Sequence, residues 1–151
     1  MLADRLVIVE HGRVVQECDA ATITARPRTD YVAQLVGLNL YRGHADGHNV
    51  DLGDGFTLAT TDVVHGDAYV AFPPAAVALH PHQPDGSPRN TWPAVLADIQ
   101  HHGDNLRVRL DGPITVAADI TPAAATQLRL EPGRSLWAAV KATETRAYPA
   151  D

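Results

Sequence analysis

Apolar and polar positions alternate along much of this chain, most clearly between residues 95 and 140. Val95, Ala97 and Ile99 alternate with Leu96, Asp98 and Gln100, and Leu106, Val108 and Leu110 alternate with Arg107, Arg109 and Asp111. A period of two sends successive side chains to opposite faces, so these runs predict half-buried antiparallel strands. His102-Gly103-Asp104-Asn105 and Gly112-Pro113 supply turns, Ile114, Val116 and Ala118 a third strand, and Leu136, Ala138 and Val140 a fourth. Between the third and fourth, Thr121-Pro122 predicts the start of a helix through Ala123 to Leu128, because proline there lacks only a donor that would go unused. Glu131-Pro132-Gly133 then turns the chain back. Three strands, a helix and a strand, with a trailing edge at Thr145 to Tyr148, predict a small β-barrel of the oligonucleotide/oligosaccharide-binding (OB) type.

The earlier part of the chain is less regular. Leu6-Val7-Ile8-Val9 and Arg13-Val14-Val15-Gln16 predict a hairpin closed by Glu10-His11-Gly12. Asp19 is placed to cap a short helix over Ala20 to Ala25, which stops before Pro27. Thr29 or Asp30 caps another, with Tyr31, Val32, Leu35 and Val36 on one face and Gly37 ending it. From Leu38 the texture changes to short strand candidates: Tyr41-Arg42-Gly43, Val50-Asp51-Leu52, Phe56-Thr57-Leu58, Ala68 to Phe72 and Val77 to His80. Turns are expected between them at Asp46-Gly47, Gly53-Asp54-Gly55 and Gly66-Asp67, and His82 to Asn90 reads as a linker.

Composition narrows the functions open to such a fold. With 151 residues, a net charge of −6 and only 12 lysines and arginines, a broad nucleic-acid surface is not expected. Aromatic residues make up 5%, too few for base-stacking platforms. The single cysteine, Cys18, has no internal disulfide partner, which fits a reducing compartment. It also has no histidine neighbour set up as a base. Met1-Leu2-Ala3-Asp4-Arg5 is charged where a secretory signal would be apolar, and no run is long enough to span a bilayer, so a cytoplasmic location is expected.

Two short polar signatures carry the candidate chemistry, Ser87-Pro88-Arg89-Asn90 and Val140-Lys141-Ala142-Thr143, and Lys141 is the only lysine in the chain. Arg89 and Lys141 offer charge, and Ser87, Thr143 and Thr121 offer hydroxyls. The helix starting at Thr121-Pro122 adds free N–H groups and a positive dipole end. A tetrahedral dianion presents only acceptors, so a site for one needs donors alone, held at fixed distances. From residue chemistry alone, a solvated loop and an edge-strand lysine that blocks aggregation explain the same residues more simply. His80-Pro81-His82 and His101-His102 lack the cysteine partners or helical spacing of a metal site. Trp92 and Trp137 read as core or interface anchors, and Arg107 and Arg109 as a solvated face or a partner surface.

Leu2-Ala3-Asp4-Arg5-Leu6-Val7-Ile8-Val9-Glu10-His11-Gly12-Arg13-Val14-Val15-Gln16 resembles the last strands of an ABC importer ATPase. Ala25 to Ala33 and Val36-Gly37-Leu38-Asn39-Leu40 resemble its terminal helices and the exit into a regulatory domain. The β-rich remainder resembles the appended TOBE domain, recognisable at Ala68-Tyr69-Val70-Ala71-Phe72-Pro73-Pro74-Ala75-Ala76-Val77. Residues 87–148 resemble its Mop (molbindin) form, found in molybdate importer ATPases. The resemblance implies an ATPase tail at 1–37 and a TOBE region at 38–151, with an oxyanion-binding unit at 87–148. It also implies molybdate or tungstate as ligand, held between two chains of a homodimer by Ser87, Arg89, Asn90, Thr121, Lys141, Ala142 and Thr143. The permease subunits of the importer would be partners, at the cytoplasmic face of the membrane. Two departures stand out: Cys18 replaces a usual glycine, and Ala124 stands where some Mop domains have a serine.

No G-x-x-x-x-G-K-[ST] loop occurs in the sequence, so ATP and Mg²⁺ belong to parts of the parent that this chain does not contain, and the chain itself is expected to be non-catalytic. The leading expectation is therefore a regulatory, oxyanion-binding module of a molybdate importer ATPase. The alternatives are a ligand-free dimerisation and docking domain, and the regulatory domain of a sulfate or sugar importer.

Overall fold

A computed structural model of the chain describes residues 6–10, 13–18, 33, 37–86 and 90–150. Strands β1 (Leu6–Glu10) and β2 (Arg13–Cys18) pair antiparallel as the expected hairpin, with a bulge between Ile8 and Val9. Of the closing turn, His11 and Gly12 lie outside the described residues, as do the expected helices at 20–25 and 29–36 apart from Ala33.

The remainder forms two sheets around one core. A three-stranded sheet has the order β10-β4-β3, from β3 (Asn39–Asp51), β4 (Thr57–Phe72) and β10 (Arg146–Pro149). A five-stranded sheet has the order β5-β9-β6-β7-β8, from β5 (Ala78–His80), β6 (Asn90–His102), β7 (Asn105–Asp111), β8 (Val116–Ile120) and β9 (Ser135–Val140). Every described pairing is antiparallel. Val50, Leu58, Val70 and Phe72 from one sheet meet Trp92, Leu96, Val108, Leu110, Val116 and Leu136 from the other. All are essentially removed from water, each contributing about 1.5–3 kcal/mol. Helix α1 (Pro122–Leu128) begins at Thr121, whose hydroxyl accepts from the Ala124 N–H at 3.1 Å, and ends at Arg129 in the left-handed conformation. Among the described residues no helix is long and apolar enough to cross a membrane.

Three expectations need correction. Asp46-Gly47 and Gly66-Asp67 are not turns between strands but lie inside the continuous β3 and β4, where Gly47 (φ 72°) and Gly66 (φ 94°) bend them. Positive φ at glycine serves a bulge or corner as readily as a turn. Gly53-Asp54-Gly55 is the turn expected, closed by Phe56 N–H to the Gly53 carbonyl at 2.9 Å. Third, the buried face of β6 is Trp92, Ala94 and Leu96, whereas Val95 is exposed. A bulge between Leu96 and Asp98 then swaps the faces and returns Ile99 to the core side.

The pairings also reveal an internal duplication. The run from Asn39 to His80 corresponds to the run from Asn90 to Tyr148, with Phe56-Thr57-Leu58-Ala59 matching Ile114-Thr115-Val116-Ala117. In each half a strand leads through a 3₁₀ turn (Pro74–Ala76, Ala142–Glu144) into a final strand that joins the other half's sheet. Ala78, Leu79 and His80 pair with Ala139, Ala138 and Trp137. Arg146, Ala147 and Tyr148 pair with Ala71, Val70 and Tyr69, the equivalent positions, which is the mark of an approximate twofold relation. The second half adds a hairpin tip and α1. The first runs straight through, leaving residues 60–63 bulged opposite His48 where the second half inserts α1.

Candidate functional site

The two signatures approach each other because β6 and β9 are neighbours. Asn90, the first residue of β6, pairs with Val140, the last residue of β9, so the described end of the first signature lies beside the start of the second. Lys141 then precedes the 3₁₀ turn holding Ala142 and Thr143, and its carbonyl accepts from Glu144 N–H at 2.9 Å and from the buried Thr145 hydroxyl at 2.9 Å. Those bonds fix the backbone while the Lys141 and Thr143 side chains stay exposed. Ser87 and Arg89 lie outside the described residues.

Asn90 itself faces inward. It is 3% exposed, its Nδ2 donates to the Ala59 carbonyl at 2.8 Å, and its Oδ1 accepts from Ala59 N–H at 2.7 Å. The side chain thus completes a backbone-like pair between the two sheets. Asn39 does the same for Ala117, at 2.9 Å in both directions. Thr121 is set at the other end of the sheet: it follows Ile120, which pairs with Leu106, which pairs with His101 near the far end of β6. Eleven residues of strand, with a bulge between Leu96 and Asp98, separate His101 from Asn90. Within one chain, therefore, Asn90, Lys141, Ala142 and Thr143 share an end and Thr121 with its helix start does not.

Lys141 lines a groove of about 510 Å³ with Pro73, Ala76, His80, Ala139 and Glu144. Two of its polar members, His80 and Glu144, were not expected. Glu144 directly follows Thr143, and its carboxylate is an acceptor in a groove that an anion would need free of acceptors. Among the described residues no three His, Cys, Asp or Glu side chains gather to hold a metal.

The most directed ion pair in the five-stranded sheet joins Arg107 to Asp119, Nε to Oδ1 at 2.7 Å and Nη2 to Oδ2 at 3.0 Å. The hydrogen bonds from Arg107 hold the Asp119 carboxyl below its ordinary range against an opposing desolvation. A depressed carboxyl adds stability that is present above its unfolded pKa and lost as pH falls through the folded one. Stability should therefore fall between about pH 5 and pH 3 more steeply in the wild type than in Asp119→Asn, by about 1 kcal/mol over that window. Parallel pH dependences in urea unfolding would refute this.

A duplicated β module with exchanged end strands, antiparallel in every described pairing, defines a small two-sheet β-domain. Residues 86–147 match the TOBE domain family. Over 99% of its length the chain is 33% identical to the molybdenum import ATP-binding protein ModC of Mycobacterium tuberculosis. Over 98% it is 27% identical to the molybdate/tungstate import ATP-binding protein WtpC of Pyrococcus horikoshii. It spans 43% of the length of each of these relatives. A solved structure of the cytoplasmic molybdate-binding protein ModG, with molybdate bound, shares the fold with a TM-score of 0.65 at 22% identity. The match covers 74% of this chain and 95% of that one.

Proposed function

We propose that this chain is the regulatory part of a molybdate or tungstate importer's ATP-binding protein, with residues 1–37 closing the ATPase domain and 38–151 binding the oxyanion. The observation that carries this reading is the pairing of Asn90 with Val140, which sets the last residue of one signature beside the residue that precedes Lys141 in the other. The relatives that cover nearly the whole chain add support through their names. Arg89, Lys141, Ser87 and Thr143 are the donors, Ala142 shapes the turn, and Asn90 anchors the strand that presents the loop. Thr121 reaches such a site only from a second protomer, which agrees with a homodimer binding the anion between chains. The chain is non-catalytic; ATP and Mg²⁺ bind elsewhere in the parent, which docks on permease subunits at the cytoplasmic face of the membrane. Anion binding shifts the parent between two subunit arrangements only by its difference in affinity for them.

Calorimetric titration tests this. Molybdate is expected to bind the wild type well ahead of sulfate, and Lys141→Ala or Arg89→Ala to weaken it at least tenfold, about 1.4 kcal/mol. Absence of heat at millimolar molybdate would overturn the reading. It would favour a ligand-free docking domain, to which the Glu144 carboxylate beside Lys141 already lends weight. Sulfate binding ahead of molybdate would point instead to a sulfate importer.

A further inference from the structure

The duplication gives the Lys141 end a counterpart in the first half. Gly37, Leu38 and Asn39 occupy the positions of Pro88, Arg89 and Asn90, and Pro73 and Pro74 those of Lys141 and Ala142. The counterpart has lost both cations of the signatures. A groove of about 280 Å³ nevertheless lies there, lined by Gly37, Leu38, Asn39, Arg107, Arg109 and Thr115 among others. We propose that it is a second anion site, whose cations come from β7 instead of from the loop and turn, and which takes a small tetrahedral dianion.

Three features make the groove suited to an anion. First, among the described residues no aspartate or glutamate lines it, unlike the Lys141 groove with Glu144. Second, two of its wall carbonyls are already occupied. The Ala117 carbonyl accepts from Asn39 Nδ2 at 2.9 Å, and the Thr115 carbonyl accepts from the Tyr41 hydroxyl at 2.6 Å. Backbone acceptors that would repel an oxyanion therefore carry donors of their own. Burial pushes the Tyr41 hydroxyl well above its ordinary pKa, so it remains a donor at any working pH.

Third, the guanidiniums differ in role. Arg107 is held by two bonds to Asp119, which neutralises its charge, fixes its plane and leaves further N–H donors unused. Arg109, two residues on along β7, is exposed and has no ion pair among the described residues. Arg109 supplies the net charge, Arg107 a fixed donor, and the exposed Thr115 a hydroxyl. A planar fork matching two oxygens of a tetrahedral anion is what arginine provides and lysine does not. The proposal does not require the Lys141 end to bind anything.

Equilibrium dialysis of the full chain against molybdate, with sulfate as a second probe, counts anions per chain. Arg109→Ala is expected to remove one saturable anion per chain, or weaken it at least tenfold, and Arg109→Lys to recover it only in part. Lys141→Ala is expected to leave that anion in place, which separates failure of this site from failure of the one proposed above. Far-ultraviolet circular dichroism matching the wild type shows that the exposed substitution has not disturbed the fold. Wild-type stoichiometry and affinity in Arg109→Ala overturn the proposal. So does a wild type whose only saturable anion disappears with Lys141→Ala, or one whose binding never saturates and is displaced fully by chloride.

Discussion

Replacing Asn90 by alanine will lower the unfolding free energy by about 3 kcal/mol, because it leaves buried both an N–H and a C=O that cost roughly 1–3 kcal/mol each when unpaired. The groups are those of Ala59, a buried residue of β4, whose N–H and C=O both bond the Asn90 amide. Asn90→Asp is expected to be no better. It keeps an acceptor for the Ala59 N–H, but it sets a carboxylate oxygen against the Ala59 carbonyl in a site 3% exposed. Asn39→Ala should cost less, since the corresponding bonds to Ala117 are only part-buried and water can replace them in part. Urea unfolding of the three variants measures the order. A stable Asn90→Ala that loses only anion binding would mean that the side chain turns outward to the ligand, and the locking role would fall.

That role also marks where sequence reasoning stopped. A polar residue beside Arg89 looks like another donor for an anion, yet Asn90 opens a strand whose partner sheet needs an amide to complete its edge. Composition alone does not tell an amide that binds ligand from one that imitates backbone. The duplication would have helped: Asn39 begins the first half as Asn90 begins the second, without any cation beside it. The matching segments 56–59 and 114–117 share only a threonine and an alanine with similar apolar neighbours, too little for a repeat to stand out before the pairings are known.

The strands from Leu106 to Val140 were legible because each keeps one apolar face without interruption, and Val108, Leu110, Val116, Ala118, Leu136 and Ala138 are all buried. The helix start at Thr121 was legible because capping is a local matter of one hydroxyl and one proline. Its position was not, since cap chemistry carries no information on which end of a sheet the helix reaches. Strand β6 failed for the opposite reason. Its bulge at Ala97 moves the apolar side chains from one parity to the other, and no residue there announces an extra position. Residue chemistry alone did not show that Asn90 and Val140 would be neighbours; that follows from β6 and β9 being adjacent antiparallel strands.

Gly43→Ala is the second substitution with a large expected effect. Asn39 to Asp51 form one strand, and eight residues of straight strand would carry the chain about 26 Å from Gly43 to Asp51. Instead β3 turns a corner at Gly47 and passes back over itself, so that a methyl group on Gly43 would press into the Asp51 carbonyl oxygen and lie 2.8 Å from Leu52 Cδ2. The leucine tip can give way, but the carbonyl belongs to backbone paired with Thr57 and cannot move without opening the β3–β4 ladder. Overpacking of this kind costs about 1–3 kcal/mol and more where backbone is the obstacle. For a chain of this size that is a fall in melting temperature of roughly 2–12 °C. The second half meets the same crossing with the small residue on the other strand: Ala94 replaces Gly43, and Gly112 replaces Leu52. A methyl group on Gly112 would come within 2.8 Å of the Pro93 carbonyl oxygen and 3.5 Å of Ala94 Cα, so Gly112→Ala should destabilise as well, though by less. The paired variant Gly43→Ala with Leu52→Gly copies the second half's solution into the first, and it should recover part of the loss. A melting temperature for Gly43→Ala within a degree or two of the wild type would show that β3 does not close on itself. The corner that brings Asn39 over Ala117 would then need another cause.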